Sequence, residues 1–591
     1  MPKVLISAAV VLAGLLLIIG LRTASPVALG SEESLQLDGP KPNILQAESG
    51  VLSDAGSIMG VQVYGGFWPI TTTQKLEELG ARWTRITISW HTVEPYYSPP
   101  TFDFSAYDSI IQELTAAGIV PILEFRQNPT WAAATTCGPI SPTISAGKNG
   151  LDAFREVVTA LADHYSKAPY NVHYWEFYNE PDNKSVDYAW LGGCWGNDPK
   201  AYRDMLQVAH DALQAVDPSA KVVLGGLAHQ PTPPIFNFNF LKEIIDEGAA
   251  PYFDIVNFHF YSNQAWSFGP GGTHGNFGYD ILGKLGEIRK EMSDKGVSKP
   301  VVVTEVGWTY GPTQSDFAER QARYVPKLYA RAIVSDVKAM TWFSLEDPPG
   351  VGSTNIVPYG LLNIDYTPKE SYWVYKFAAS EFDDATFSGS IQSEVTPGQF
   401  PSFCQQWWDN DCVVEGYKYS KANGQKRAVL WAQNKGPAAQ DTGLTTKAYD
   451  IQVQVVLPAW VVSARDRLGN SIIFPQASRL ITLTDSPIYV YGGIPTATPT
   501  LTPLPTRTAT ATSTAMPTHT STATPTPTST FPPTPTPFAI DSAGFSVPFD
   551  VSLTNEQSQS PAIAVDSDGD IHLVWADGSP GARRILYSVW S

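Results

Sequence analysis

Residues Tyr174–Asp182 read YWEFYNEPD, and their reading decides the fold. The first half is a run of large apolar and aromatic side chains of the kind a buried strand needs. With no turn signal it then ends in Asn179, Glu180, Pro181 and Asp182. A carboxylate at the end of a core strand is costly unless it faces a site, and the proline behind it stops the ladder. The form recurs at KPVVVTEVGW (299–308), where Glu305 closes another apolar run.

Outward from these two stretches the same unit repeats between Ile58 and Ser380: a short apolar run, a loop, then a segment of helical periodicity. The other runs are IMGVQVY, RWTRITISW, GIVPILEF, AKVVLGG, FDIVNFHFY and VKAMTWFSLED. The helical segments include SAYDSIIQELTAAG, LDAFREVVTALADHYS, PKAYRDMLQVAHDALQAV and DFAERQARYVPKLYARAIVS. Strands alternating with helices must pair in parallel, because each return needs a crossover. Eight such units predict an α/β fold, a (β/α)8 TIM barrel over 56–382. An open doubly wound sheet is the alternative, but no Gly-rich phosphate loop follows the first strand.

The texture then changes. Residues 383–493 hold short alternating strands separated by turns, which predicts a small all-β, sandwich-like accessory domain. Residues 494–537 are almost entirely Pro, Thr, Ala and Ser, a linker that cannot bury apolar area. Residues 538–591 read as a C-terminal β fragment resembling one incomplete propeller blade of the sialidase type, and one blade cannot close a propeller. Its DSDGD (566–570) is read as a tight turn rather than a calcium loop.

At the other end, Lys3 precedes an apolar run from Val4 to Leu21, so 1–30 reads as a signal peptide or membrane anchor, and 31–55 as a tether. This predicts a secreted or cell-surface protein, with attachment through the N-terminus as one of the two outcomes. Four cysteines suit that oxidising destination: Cys404 and Cys412 are spaced for a local loop, which pairs Cys137 with Cys194. No cysteine has the His or Cys company of a zinc site, so no metal is expected. A formal charge of -18 argues against nucleic acid as a partner, and 17 Trp suit flat, hydroxyl-rich ligands. Oligomeric state is left open.

In a barrel of this kind the strand C-terminal ends face the site. Taken singly, Glu180 or Glu305 has a bland explanation, a helix cap or a buried ion pair. Together, at the same end of one barrel, they read as a catalytic pair. WEFYNEPD and VVVTEVGW resemble the acid/base and nucleophile signatures of clan A glycoside hydrolases, with a likeness nearest to families 39 and 5 that extends over Ile58–Ser380. GIVPILEFRQNPTWA is similar to the third strand of family 39. The resemblance implies an exported retaining O-glycosyl hydrolase that cleaves β-glycosidic bonds of oligo- or polysaccharides, with Glu305 as nucleophile, Glu180 as acid/base and no cofactor.

It further implies substrate-side roles for Asn179 (the sugar 2-hydroxyl), His259, Tyr261 (a contact to Glu305), Arg85 beside the nucleophile, and Trp342 as a stacking platform. Trp308, with Trp68, Trp131 and His229, sits on βα loops where outer subsites are expected. One departure stands out: family 5 commonly ends its third strand in His, whereas Phe125 and Arg126 stand here, and Glu124 beside them reads as a structural partner of an arginine. The competing class is a non-catalytic carbohydrate-binding surface protein on a barrel scaffold. The presence of both glutamates with their Asn, His and Tyr neighbours favours the enzyme.

Overall fold

The computed structural model describes residues 56–63, 71–97, 101–187, 193–231, 234–264, 280–309, 316–348, 351, 357–397, 412–434 and 452–493, and the strands 558–565, 571–577 and 584–590. The N-terminal apolar segment and tether, the Pro/Thr linker, Trp68, Cys404 and the 566–570 turn lie outside the described residues. Among the described residues no helix is long and apolar enough to cross a membrane.

Eight parallel strands form the first sheet: β1 (Met59–Gln62), β2 (Trp83–Ser89), β3 (Val120–Arg126), β4 (Tyr174–Phe177), β5 (Lys221–Val223), β6 (Val256–Tyr261), β7 (Val301–Gly307) and β8 (Val337–Phe343). Their order is β5-β4-β3-β2-β1-β8-β7-β6, and bridges Val223↔Ile255 and Leu227↔Phe258 join the two ends. The sheet is thus a near-closed TIM-like barrel, as the alternation of strands and helices predicts.

Helices fill the crossovers: α1 (Thr72–Leu79), α2 (Trp90–Val93), α3 (Ser105–Ala116), α4 (Gly150–Tyr165), α5 (Pro199–Val216), α6 (Phe240–Asp246), α7 (Ile281–Asp294), α8 (Phe317–Val334) and α9 (Glu370–Phe382). Their starts are written in the sequence. Asn149 accepts the Leu151 amide at 2.8 Å to cap α4, and Asp198 accepts that of Ala201 at 2.9 Å to cap α5, with Pro199 in its first turn. On α5, Tyr202, Met205, Leu206, Ala209 and Leu213 form the buried stripe that faces the barrel.

Alternation inside the barrel decides what reaches the site. Trp83, Ile122, Tyr174, Val223, Ile255, Val302 and Ala339 pack as an interior layer. Two residues on, β2, β3 and β4 point Arg85, Glu124 and Glu176 into the same lumen, and β8 points Thr341 there.

After the barrel come two antiparallel sheets, one ordered β15-β14-β17-β12-β11-β9 and one β10-β13-β16. The strands are β9 (Thr386–Ser390), β10 (Thr396–Pro397), β11 (Cys412–Ser420), β12 (Lys426–Asn434), β13 (Val453–Val456), β14 (Val461–Arg465), β15 (Ser471–Ile472), β16 (Leu480–Leu483) and β17 (Ile488–Gly492). On β12, Ala428, Leu430 and Ala432 enter the core shared by the two sheets, while Val429 and Trp431 join the barrel's core. One strand therefore serves a sandwich core on one face and the barrel on the other. Cys137 and Cys194 form the expected disulfide.

The region from Thr500 to Ser591 is a separate compact unit. Its β18 (Ser558–Val565), β19 (Ile571–Asp577) and β20 (Arg584–Trp590) make an antiparallel three-stranded sheet in which Val565 pairs with Ile571 and Ile571 with Trp590.

Candidate active site

Glu180 and Glu305 reach the lumen by two backbone devices. After β4 the chain turns through left-handed conformations at Tyr178 (φ 63°) and Glu180 (φ 41°), and the Glu180 amide donates to Gly226 O at 2.9 Å. Non-glycine residues hold such angles only where their surroundings impose them. On β7 the register shifts: Asn257 pairs with Val302, but His259 pairs with Glu305, so the β7 side carries an extra residue. That bulge brings both Thr304 and Glu305 to the β6 side of the lumen. It is pinned by Asn257, whose Nδ2 donates to Thr304 Oγ1 at 2.8 Å and whose Oδ1 accepts the Thr304 amide at 3.1 Å.

Arg85 is the hub. Fully buried, it donates from Nε and Nη2 to Glu176 (2.9 and 2.6 Å), from Nη2 to Asn179 Oδ1 (2.8 Å) and from Nη1 to Glu305 Oε1 (2.7 Å). Glu124 lies 3.3 Å from Nη2 and is also 3.2 Å from Arg126. The bidentate grip on Glu176 fixes the guanidinium plane, and that plane orients Glu305 and Asn179. Tyr261 donates to Glu305 Oε2 at 2.7 Å.

His259 Nδ1 lies 3.1 Å from Glu180 Oε1 and 3.6 Å from Glu305 Oε2. Its Nε2 is 3.3 Å from Thr304 Oγ1, a hydroxyl that also bonds the Asn257 side chain. Gly226 packs on the ring so tightly that a Cβ there would sit 2.1 Å from Nε2.

The electrostatics separate the pair. Burial, then the nearby charges of Glu305 and Asp182, push Glu180 well above the ordinary carboxylate value, opposed by Lys284 and Arg85. Burial also raises Glu305, but Arg85, the Tyr261 hydrogen bond and Arg126 pull it back. Glu180 thus holds its proton to higher pH than Glu305. Burial, and then the charges of Arg85, Lys284 and Arg126, drive His259 well below its usual value, so the imidazole is neutral. Glu176 is pushed up to about 7, by burial first and by Glu124, against the pull of Arg85.

Of the residues singled out in the sequence, Glu180, Glu305, Asn179, His259, Tyr261 and Arg85 converge at the barrel mouth. Two tryptophans do not. Trp342 lies in the barrel–helix layer with no exposure, and its Nε1 donates to Tyr359 O at 3.1 Å. Alternation on β8 sends Met340 and Trp342 outward, and Phe343 is the residue whose ring meets Tyr261 and Tyr359 at the mouth. Trp308 is buried against Tyr324 of α8, with ring centroids 5.2 Å apart. Of the loop residues, Trp131 donates to Glu94 O at 3.0 Å, and His229 is buried 3.2 Å from Glu291.

Sequence reading passed over Glu176, Lys284 and Gly226. The signal for Glu176 was present, since it stands at the inward parity of β4, two residues after Tyr174. Lys284 carries none, because it is one lysine on an ordinary helix. Among the described residues no cluster of His, Cys, Asp and Glu could hold a metal ion.

A barrel with this constellation at the C-terminal ends of its strands is that of a glycoside hydrolase. The family model for cellulases, glycosyl hydrolase family 5, matches residues 62–342, from β1 to β8. Among solved structures, a family 39 glycoside hydrolase from the gut symbiont Bacteroides cellulosilyticus WH2 matches with a TM-score of 0.54 and 21% identity, over 75% of this chain and 82% of that one. A family 39 β-xylosidase from Caulobacter crescentus matches at TM-score 0.45 and 16% identity, over 75% and 97%. No curated protein matches the chain significantly. The family 5 model thus spans the barrel from β1 to β8, and the fold is similar to that of the family 39 enzyme, which together support a glycoside hydrolase acting on carbohydrate.

Proposed function

We propose that the protein is an exported retaining O-glycosyl hydrolase that cleaves β-glycosidic bonds by double displacement, with Glu305 as nucleophile and Glu180 as acid/base. The observation that carries this reading is the shared contact of His259 Nδ1 with both carboxyls, at 3.1 and 3.6 Å. Those two legs hold the facing oxygens within about 7 Å. That suits the ~5–5.5 Å carboxyl spacing of retaining enzymes better than the ~6.5–9.5 Å of inverting ones, which need room for water.

In the first step a Glu305 oxygen attacks the anomeric carbon while the bond to the leaving oxygen breaks, and the Glu180 proton passes to that oxygen. Arg85 and Tyr261 keep Glu305 ionised for attack. In the second step Glu180 takes a proton from water as that water attacks the anomeric carbon, and the ester bond to Glu305 breaks. Asn179 Oδ1 is committed to Arg85, so its NH2 end is assigned to the sugar 2-hydroxyl. Export is supported by the apolar run at Val4–Leu21 behind Lys3 and by the Cys137–Cys194 disulfide.

The test is a panel of aryl β-glycosides with the wild type and Glu305→Ala. Turnover should fall by several orders of magnitude in the variant. Azide should restore it and yield a glycosyl azide of inverted configuration. Equal turnover in the variant, or none on any glycoside with the wild type, refutes the assignment.

A further inference from the structure

Seven seams of the barrel are joined by paired strands, but the eighth, between β5 and β6, has only the two bridges. Lys284 enters at this seam. It projects from α7, is fully buried, and its Nζ donates to Ala228 O at 2.5 Å, His259 O at 2.7 Å and Gln264 Oε1 at 2.6 Å. Ala228 belongs to the segment after β5 and His259 to β6, so one side chain bonds the backbone on both sides of the opening.

We propose that Lys284 is a positioning residue of the hydrolytic site, its ammonium stapling the β5–β6 seam so that His259 stays seated against Glu180. The inference rests on the glycosidase reading above. Three convergent acceptors require three hydrogens, which only the charged –NH3+ form supplies. Burial pulls Lys284 down to about 7 while Asp182 and Glu180 oppose it, and the three acceptors favour the ammonium. The Phe258 ring, 5.5 Å from Nζ, adds a cation–π contact.

The other charged groups around this point are Glu180 and Asp182 from the β4 end, and Arg85 and Arg126 across the lumen. Asp280 stands at the start of α7 itself, 2.8 Å from Arg331. Lys284 and Arg85 lower Glu180, against the upward push of burial and of the charges of Glu305 on β7 and Asp182. Removing the Lys284 charge therefore raises Glu180 further, and the alkaline limb of the rate profile, where the acid loses its proton, moves to higher pH.

The experiment uses the full chain with K284M, which keeps bulk without donors, and K284Q, which keeps donors without charge. Backbone hydrogen exchange is followed by mass spectrometry, and kcat/KM on an aryl β-glycoside is followed across pH. In K284M, exchange should quicken in 224–231 and 256–262 but not in β2 and β3, and kcat/KM should fall about 10- to 100-fold. Its alkaline limb should rise by about 1 pH unit. K284Q should show the same limb shift with a smaller gain in exchange, and it carries both readouts if K284M fails to fold. Wild-type exchange at the seam refutes the staple, and a wild-type alkaline limb in both variants refutes its reach to Glu180. If the wild type hydrolyses no glycoside, the glycosidase reading fails, and exchange alone still decides the staple.

Discussion

Arg85→Met tests whether the site is held together by charge. The substitution keeps an unbranched apolar stem and removes the cation that bonds Glu176, Asn179 and Glu305 and lies 3.3 Å from Glu124. Losing one partner of a buried ion pair costs about 3–5 kcal/mol, because the other charge is left in a low dielectric. Here several carboxylates lose the same partner, and they limit the damage by taking up protons.

The sign with pH follows. In the wild type, burial raises Glu124 but Arg126 and Arg85 outweigh it, so its net value lies below 4.5. A carboxyl lowered on folding stabilises above its unfolded value and loses that stabilisation as the pH falls. In the variant, burial at Glu176 and Glu305 is opposed by less positive charge, so both rise. A carboxyl raised on folding stabilises at low pH and loses that stabilisation as the pH climbs through its folded value. The gap between the two proteins is therefore widest near pH 8 and closes toward pH 5. At roughly 2–4 °C per kcal/mol, a loss of about 3–5 kcal/mol is a drop in Tm of about 6–20 °C at the alkaline end. Thermal melts in buffers of equal ionic strength measure it. A Tm within about 2 °C of wild type near pH 8, or a gap that widens on acidification, refutes the reasoning.

Tyr261→Phe removes one hydrogen bond to the Glu305 carboxylate, worth about 1.5–3 kcal/mol, so kcat/KM should fall about 10- to 150-fold. Because that bond lowers Glu305, the acid limb of the profile should move to higher pH, and an unmoved limb counts against Tyr261 as the partner that keeps Glu305 ionised. Gly226→Ala places a methyl 2.1 Å from His259 Nε2. The ring must leave its seat, so activity should fall about 100-fold with a destabilisation of about 1–3 kcal/mol, and wild-type kinetics would show that the seat is loose.

The barrel was legible because continuous apolar runs, buried on both faces, take turns with segments of helical periodicity, and the carboxylates were legible because nothing apolar explains them. Legibility failed where one residue of register matters. Trp342 and Phe343 are adjacent aromatics on β8, and sequence cannot tell which faces the lumen until the parity of the strand is fixed by Thr341 and its bond to Thr304 O. It failed also at the β7 bulge, because an extra residue in a ladder leaves no compositional mark. Glu176 was passed over for a different reason: it lies inside a strand read only for its apolar and aromatic residues, whereas it accepts two hydrogen bonds from Arg85.

The β domain offers the last test, because its interface with the barrel is charged as well as apolar. Arg331 of α8, fully buried, donates from Nε and Nη2 to Glu415 of β11 at 2.8 and 2.9 Å, and Lys327, one turn earlier, bonds Asp485. Glu381 of α9 accepts from Tyr419 (2.8 Å), Tyr491 (3.0 Å) and Arg427 (2.8 Å) of the same domain. A module that only captures sugar has no need of such pairs, and its removal would leave the barrel intact. Truncation after residue 385 instead takes the carboxylates of Glu415 and Asp485 from two cations in α8 and uncovers the apolar surface that Trp431, Tyr419 and Tyr489 protect. At about 3–5 kcal/mol for each broken buried pair, the isolated barrel should be insoluble or melt at least about 10 °C below the full chain. Arg331 also bonds Asp280 at the start of α7, the helix that carries Lys284, so damage at this interface should reach the β5–β6 seam. A truncated barrel with the Tm and kcat/KM of the full chain would show that the domain is a passenger.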